Sequence, residues 1–475
     1  MIILRKQPFS IEPSLAHHST VTALIQLYDS WLDASEKHQL SAVCLLDQSA
    51  AYDLLCHKIF GDKLRIYNFS ESAIAWVLSY LGGRTQIAQV ESKTSAPLDC
   101  EDHGVPQGSV LGGLFHLINS NDFPDCHEEG EGVVYVDDDS DSVHSADPVR
   151  LRDLIEQEAR NSSNWLEDNR LCVAGEKSKL MVIGTKQLRT QKINNEMRIE
   201  VDGKEVVDST SEKLLGIVIN NELTWRNHLY GDEENEGLVT QLAKRIGILQ
   251  KLSRRMSRKR LKLFASGIFY SKLSYCLPVF VNVFGLEQYK EENNRYTSYT
   301  MADNHNLQVL QNKLNRLLTG SPYNTPTIEL LEQTGSMSIQ QMIAFQTIIM
   351  SFKVIKFRKP GYLSKKFQER KTQQNIRGMS SGLSQPKLSL SISKEGFVNR
   401  GITLMNKLDV SLRREQNLDK FKTGLQKWVK NNISAKPKNR FQTIPRRTVI
   451  QAPPAPAQAA PSRNLITRYF QPQNR

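Results

Sequence analysis

Hydropathy patterning predicts an α+β chain, with strands set among helices in the first half and helices almost alone in the second. Two short apolar runs carry the strand prediction, and each ends in acid. Residues 41–47 read Ser-Ala-Val-Cys-Leu-Leu-Asp, and residues 132–136 read Gly-Val-Val-Tyr-Val before Asp137-Asp138-Asp139. Runs of this length bounded by polar residues fit buried strands. The third observation is the mainly helical spacing of residues 236–350.

Taken in order, Thr20 to Leu32 forms an amphipathic helix, with Val21, Leu24, Ile25, Leu27 and Leu32 mostly on one face and Ser19-Thr20 as its N-cap. Between the two acid-ended strands lie helical stretches at 54–65 and 71–80, a Gly-Gly turn at 82–83 and a polar loop at 93–104. A helix follows the acids, from Pro148 to Asn169, with Leu151, Leu154, Ile155, Ala159 and Trp165 at helical spacing. Strands are expected at 179–184, 197–207 and 214–219, and two more helical stretches within 395–435. From Lys436 the composition changes to a Pro/Ala-rich tail that cannot bury enough apolar area to order itself.

The chain has 475 residues, 39% of them hydrophobic, and a net charge of +12, which favours a polyanionic partner such as nucleic acid. Residues 436–475 hold eight Lys/Arg and no Asp or Glu, so the tail supplies +8 of that charge. Six cysteines are scattered without any C-x-x-C spacing, which argues against a zinc module or a disulfide framework. The adjacent Cys126-His127 reads as a surface accident. No uninterrupted apolar run reaches the ~18–20 residues of a membrane helix, and the N-terminus lacks signal-peptide flanks. The expected location is the nucleus or cytoplasm.

Adjacent carboxylates at the tip of a buried strand repel one another and lose solvation. A divalent cation removes that cost, and a third acid from a neighbouring strand would complete a two-metal centre. Asp137 and Asp138 are the pair and Asp47 is the third candidate. On spacing alone a solvated acidic turn is the better explanation of Asp-Asp-Asp-Ser-Asp-Ser.

Three segments change that balance. Leu-Leu-Asp-Gln-Ser-Ala-Ala-Tyr-Asp at 45–53, a segment at 103–124 opening His-Gly-Val-Pro-Gln-Gly-Ser, and Val-Val-Tyr-Val-Asp-Asp-Asp at 133–139 stand in this order. They resemble motifs A, B and C of the reverse transcriptases of non-LTR retrotransposons. The resemblance implies a right-hand polymerase palm, a ferredoxin-like antiparallel sheet with helices on one face, followed by a helical thumb. It also implies RNA-directed DNA polymerase activity with an RNA template, a DNA primer, dNTPs and two Mg²⁺ ions, with Mn²⁺ as a substitute. The implied divisions are partial fingers at 1–40, palm at 41–235, thumb at 236–350, a C-terminal helical region at 351–435 and the tail at 436–475.

Residue by residue, the resemblance assigns Asp47, Asp137 and Asp138 to the metals. Tyr52 stands at the aromatic that crowds the sugar 2′ position, though a core tyrosine would serve this apolar junction as well. Asp53 matches a family acid and could equally cap a helix. Gln107 and Gly108 match the turn against template and incoming nucleotide. Lys177, within the segment 169–185, stands at the lysine near the triphosphate, where an ordinary exposed lysine is the alternative. Leu215 and Gly216, within 212–229, resemble the primer grip, with Asn220 where the family usually has Asp. Residues 244–262 resemble the start of the thumb, where Lys251, Arg254 or Arg255, Arg258 and Lys262 are expected to share one helical face tracking phosphates. Residues 397–430 resemble the C-terminal end of these polymerases, with Met405 where Trp is common.

Two departures accompany the resemblance. No Arg follows Phe9 in the worn segment 7–24, where the family has a phosphate-clamping Arg, and most of the fingers and any upstream endonuclease are expected to be missing. Ile466, Tyr469 and Phe470 resemble a sliding-clamp peptide whose leading Gln is replaced by Arg463. Two other readings compete with the polymerase: an inactive nucleic-acid binder, and an unrelated metal-dependent nuclease for which the 103–109 segment has no purpose.

Overall fold

The sheet grows from one strand, β1 (Leu40–Ser49), which is hydrogen-bonded along both edges. The computed structural model describes residues 18–49, 51–100, 102–135, 138–173, 175–193, 196–280, 301–370 and 382–433. Three further strands complete the sheet: β2 (Glu131–Tyr135), β3 (Asp138–Ser145) and β4 (Lys179–Ile183). Their spatial order is β2-β3-β1-β4, with every neighbouring pair antiparallel. A two-residue strand, Cys172–Val173, pairs with the far end of β1.

Successive strand residues point to opposite faces, and β1 is apolar on both. Ala42, Cys44 and Leu46 meet Leu151, Ile155 and Ala159 on one side, whereas Val43 joins the core containing Leu24, Leu27 and Trp31 on the other. The helices responsible are α1 (Thr20–Glu36) and, after α2 (His57–Ile66), α3 (Glu71–Leu81) and α4 (Val110–Asn119), α5 (Pro148–Asp168). The expectation of helices on one face is therefore corrected. A strand buried on both faces needs apolar cover on both.

α1 begins as expected, with the Ser19 hydroxyl accepting from the Thr22 N–H at 3.3 Å and the Thr22 hydroxyl accepting from the Ser19 N–H at 2.9 Å. It is not amphipathic in its surroundings, because twelve of its 17 residues are buried. The sheet covers one side and the C-terminal helices the other. Of these, α6 (Leu238–Ser253), α7 (Arg258–Ala265), α8 (Met301–Thr319) and α9 (Ile339–Phe357) precede α10 (Phe397–Lys407) and α11 (Leu418–Asn432). The Asp29 carboxylate accepts the backbone N–H groups of Phe397 and Val398 at 3.0 and 3.2 Å, tying α1 to the N-terminus of α10. The boundary expected at residue 40 thus runs through a continuous core shared by α1, the sheet and the later helices. Met405 lies in a separate cluster with Phe421 and Trp428.

Polar β3 has no strand signature in its sequence, Asp-Asp-Ser-Asp-Ser-Val-His-Ser, yet it is the buried neighbour of β1. Several of its polar groups are matched from the flanking helices and from β1. Trp31 Nε1 donates to Ser142 Oγ at 3.0 Å, Ser162 Oγ donates to Asp141 at 2.8 Å, and His144 Nδ1 lies 2.8 Å from Ser41 Oγ. Each expected strand at 197–207 and 214–219 is a hairpin. The first pairs β5 (Arg198–Val201) with β6 (Lys204–Val207), and the second pairs β7 (Ser211–Leu214) with β8 (Ile217–Asn220). Both turns, Asp202-Gly203 and Leu215-Gly216, have positive φ at both residues, which suits the twist of a two-residue hairpin.

The stretch Arg258–Phe280 is long and apolar enough to cross a membrane by length and composition. Its Leu261, Ala265, Phe269, Leu273 and Leu277 recur every four residues, and none is more than 1% exposed, so this stripe is part of the protein core.

His228 also belongs to this core, edge-on to Phe280 with ring centroids 4.7 Å apart. Burial, then the nearby charge of Lys272, pushes its pKa from 6.5 down to about 4. The unfolded chain therefore takes up the proton first, so this stabilisation is complete above about pH 6.5 and is lost as the pH falls toward 4. Urea unfolding at pH 7 and pH 5 should show wild type losing up to about 2 kcal/mol through this group, at roughly 1.4 kcal/mol per pK unit. His228→Asn should lose correspondingly less over the same interval. An unchanged pH slope in the variant would remove His228 from the account.

Candidate active site

Antiparallel pairing of β1 with β3 sets Asp47 directly opposite Asp138. Opposed residues in a ladder project from the same face with Cβ atoms ~4.5–5.5 Å apart. That face is the one bearing Val43, away from α5. Lys177, in the loop before β4, brings Nζ to 2.9 Å from Asp47 Oδ2. This hydrogen bond and the carboxylate charge raise the lysine pKa. Asp47, Asp138 and Lys177, far apart in sequence, thus form one polar group at the sheet's open end. Asp137 lies outside the described residues.

The loop at 103–109 is fastened to the segment that follows β1. The Gly104 N–H donates to the Leu55 carbonyl and the Val105 N–H to the Tyr52 carbonyl, both at 2.8 Å. Gln107 Nε2 donates to the two Asp53 carboxylate oxygens at 2.9 and 3.0 Å. Asp53 is therefore an anchor for this loop, and the alternative of a helix cap falls, because Cys56 holds the N-cap position of α2. Ser109 Oγ accepts from the Gly112 N–H and caps α4. Tyr52 is half-buried and stacks on His116, centroids 5.0 Å apart at 23°.

The Leu215-Gly216 turn is pinned by Tyr275, whose hydroxyl donates to the Leu215 carbonyl at 2.7 Å. Asn220 Oδ1 accepts the Thr224 N–H at 2.7 Å, a role an aspartate oxygen would fill equally. The single basic face expected for residues 251–262 is corrected. α6 ends at Ser253 and α7 starts at Arg258, so Arg254 and Arg255 sit in the connecting turn. Lys251, Arg254, Arg255, Arg258 and Lys262 are all exposed, but they are distributed over two helices and their junction. Lys262 Nζ donates to the Thr334 carbonyl at 2.6 Å. The tail residues Ile466, Tyr469 and Phe470 lie outside the described residues, as does Phe9.

One cluster escaped the sequence reading. His127, read as a surface residue, is buried beside Asp139, Asp141 and Glu158 on the α5 side of the sheet. The signal available was the i, i+2 spacing of Asp139 and Asp141, which places both on one face if the segment is a strand.

No protein-family model matches the chain. Among curated proteins it is similar to RNA-directed DNA polymerases of non-LTR mobile elements. It is 22% identical over 324 residues to the RNA-directed DNA polymerase from mobile element jockey of Drosophila funebris, covering 66% of this chain and 32% of that protein. It is 24% identical over 312 residues to the probable RNA-directed DNA polymerase from transposon X-element of Drosophila melanogaster, covering 64% and 31%. The chain spans about a third of the length of these relatives. Among solved structures, telomerase from Candida tropicalis with a TWJ fragment of telomeric RNA matches at a TM-score of 0.32 and 13% identity, over 65% of this chain and 52% of that one.

The loop at 103–109 yields a stability prediction. Gly104 and Gly108 have nearly equal φ, +80° and +78°, but an added Cβ at Gly104 would sit 2.9 Å from the Asp53 carbonyl oxygen, whereas at Gly108 nothing lies within 4 Å. Gly104→Ala should cost ~2–3 kcal/mol from strain plus clash, and Gly108→Ala only about 1 kcal/mol from the positive φ. Urea denaturation ranks the two, and equal costs would contradict the close approach.

Proposed function

We propose that the described region is the palm and thumb of an RNA-directed DNA polymerase that extends a primer 3′-hydroxyl with dNTPs on an RNA template. The observation that carries this is the Asp47–Asp138 register beside Lys177, at the end of a sheet whose strand order is β2-β3-β1-β4. With a connection of helices between β1 and β2 and α5 between β3 and β4, that order supports reading the sheet as the ferredoxin-like sheet of a polymerase palm. Similarity to mobile-element polymerases over about two thirds of the chain supports the same reading.

The donor set fits hard cations. Asp47 and Asp138 offer carboxylate oxygens on one open face, and Asp47 already attracts the Lys177 ammonium, as a carboxylate beside a cation site would. Asp47, Asp138 and Asp137 would hold Mg²⁺, or Mn²⁺ in its place. Bound there, such ions supply activation of the attacking hydroxyl and neutralisation of charge on the phosphates. Lys177 presents a proton on Nζ next to this group, where it can neutralise or protonate a leaving pyrophosphate. The Gln107–Asp53 bond holds the 103–109 loop with the Gly108 backbone open for close approach by a base pair. Tyr52 would crowd a sugar 2′ substituent. Leu215-Gly216 would hold the primer end, and Arg254, Arg255, Arg258 and Lys262 would contact phosphates.

Extension of oligo(dT) on poly(rA) with Mg²⁺ tests the proposal. Wild type should incorporate dTTP, and Asp47→Asn and Asp138→Asn should each reduce the rate by about 10³-fold or more, whereas Lys177→Ala should cost roughly 10²-fold. Undiminished incorporation in the aspartate variants would overturn the assignment of the centre. Salt-sensitive binding of primer–template without any incorporation by wild type would select the inactive nucleic-acid binder.

A further inference from the structure

On the α5 side of the sheet, behind the aspartate pair, a second set of ionisable groups takes no part in the reading above. His127, Asp139 and Asp141 each offer one donor atom, and these atoms lie within 4.8 Å of one another. The Asp141 side chain is 0% exposed, that of His127 5%, and Asp139 is 2% exposed. His127 Nε2 and Asp141 Oδ1 meet only each other, as an ion pair at 3.3 Å without hydrogen-bond geometry, and both carboxylate oxygens of Asp139 have no hydrogen-bond partner. A buried carboxylate with neither oxygen satisfied carries a penalty of several kcal/mol unless a cation or proton joins it.

The remaining polar atoms nearby are fully engaged, in a way that aims the free ones inward. Glu158 accepts from His127 Nδ1 at 3.1 Å and from the backbone N–H groups of Glu129 and Gly130 at 2.8 and 2.9 Å. Burial alone would lower the His127 pKa, but the Asp141 charge and the Glu158 hydrogen bond outweigh it and raise the value to about 9, so a metal at Nε2 would take the place of a proton there while Glu158 keeps Nδ1 and orients the ring. Ser162 Oγ donates to Asp141 Oδ2 at 2.8 Å, leaving Oδ1 facing His127. Two glycines make the room. Gly132 stands opposite Asp141 in the β2–β3 register, and a Cβ there would collide with the His127 ring. A Cβ on Gly130 would sit 2.9 Å from Glu158 Cγ.

We propose that His127, Asp139 and Asp141 bind one Zn²⁺ ion, a structural tie that fastens β3 to the segment preceding β2. His127 Nε2 and Asp141 Oδ1 are 3.3 Å apart. Tetrahedral zinc with arms of ~2.0–2.1 Å places neighbouring donors roughly 3.3 Å apart, so this edge already has the required length. An imidazole with two carboxylates favours zinc over Mg²⁺, which takes oxygen donors and keeps its waters. The site is separate from the Asp47–Asp138 group because Asp139 and Asp141 alternate with Asp138 along β3 and face the other side of the sheet.

The test uses the full chain, equilibrated with ZnCl₂, passed over chelating resin and assayed for metal by plasma mass spectrometry. Wild type and the Asp47→Asn/Asp138→Asn double variant should each keep about one zinc per chain, and His127→Gln and Asp141→Asn should keep almost none. Because a ligand variant could fail to fold, wild type loaded with Co²⁺ supplies a second readout, the visible absorption of tetrahedral cobalt, which Zn²⁺ should displace. Added zinc should also raise the thermal midpoint of wild type by a few degrees and leave that of His127→Gln unmoved. The proposal is overturned if wild type retains no zinc and gives no tetrahedral cobalt spectrum, or if folded ligand variants hold as much zinc as wild type. None of these readouts depends on polymerase activity.

Discussion

The hydrogen-bonded ladder between β1 and β3 is the constraint on which the other features rest. Its register sets Asp47 against Asp138 and, by strict alternation, sends Asp139 and Asp141 to the opposite face. A slip by one residue would bury the first pair and expose the second. Two chemically different groups, one open and one enclosed, are therefore separated by the thickness of a single strand.

That ladder is held by cover on both faces. Val43, Val133, Met181 and Ile183 pack in the core with α1, and Ala42, Cys44, Leu180 and Val182 pack with α5. α1 is in turn fixed by Asp29 at the N-terminus of α10 and by Glu36, which accepts the Leu390 N–H at 3.1 Å. Elements more than 350 residues apart in sequence so share responsibility for the geometry at Asp47. The loop at 103–109 adds the remaining wall through Gln107 and Asp53.

Much of this was legible beforehand where one physical signal dominated. The apolar run of β1, the capping residue of α1, the period of α5 and the Gly-Gly turn all depend on local chemistry, and they stand within a few residues of expectation. β3 was not legible, because a central strand built of Asp, Ser and His violates hydropathy patterning. It is held by ladders on both edges, and Trp31, Ser41 and Ser162 arrive from distant elements to pair with its side chains. The basic run of the thumb misled in the opposite direction. Its spacing suits one continuous helix, but Ser257 starts a new one, so the charges divide. His127 misled for a similar reason, since its polarity and neighbours suggest surface and only the fold encloses it.

By itself the sequence determined the two apolar strands, the helices with a clear period or cap, the candidate acids and the resemblance of three segments to a polymerase motif set, because each is written in nearby residues. The tertiary structure decided which acids face each other, that Lys177 rather than another lysine meets Asp47, that Asp53 anchors Gln107, and that His127 is enclosed with two aspartates. These depend on strand register and on contacts across 14 to 130 residues, which no local pattern encodes.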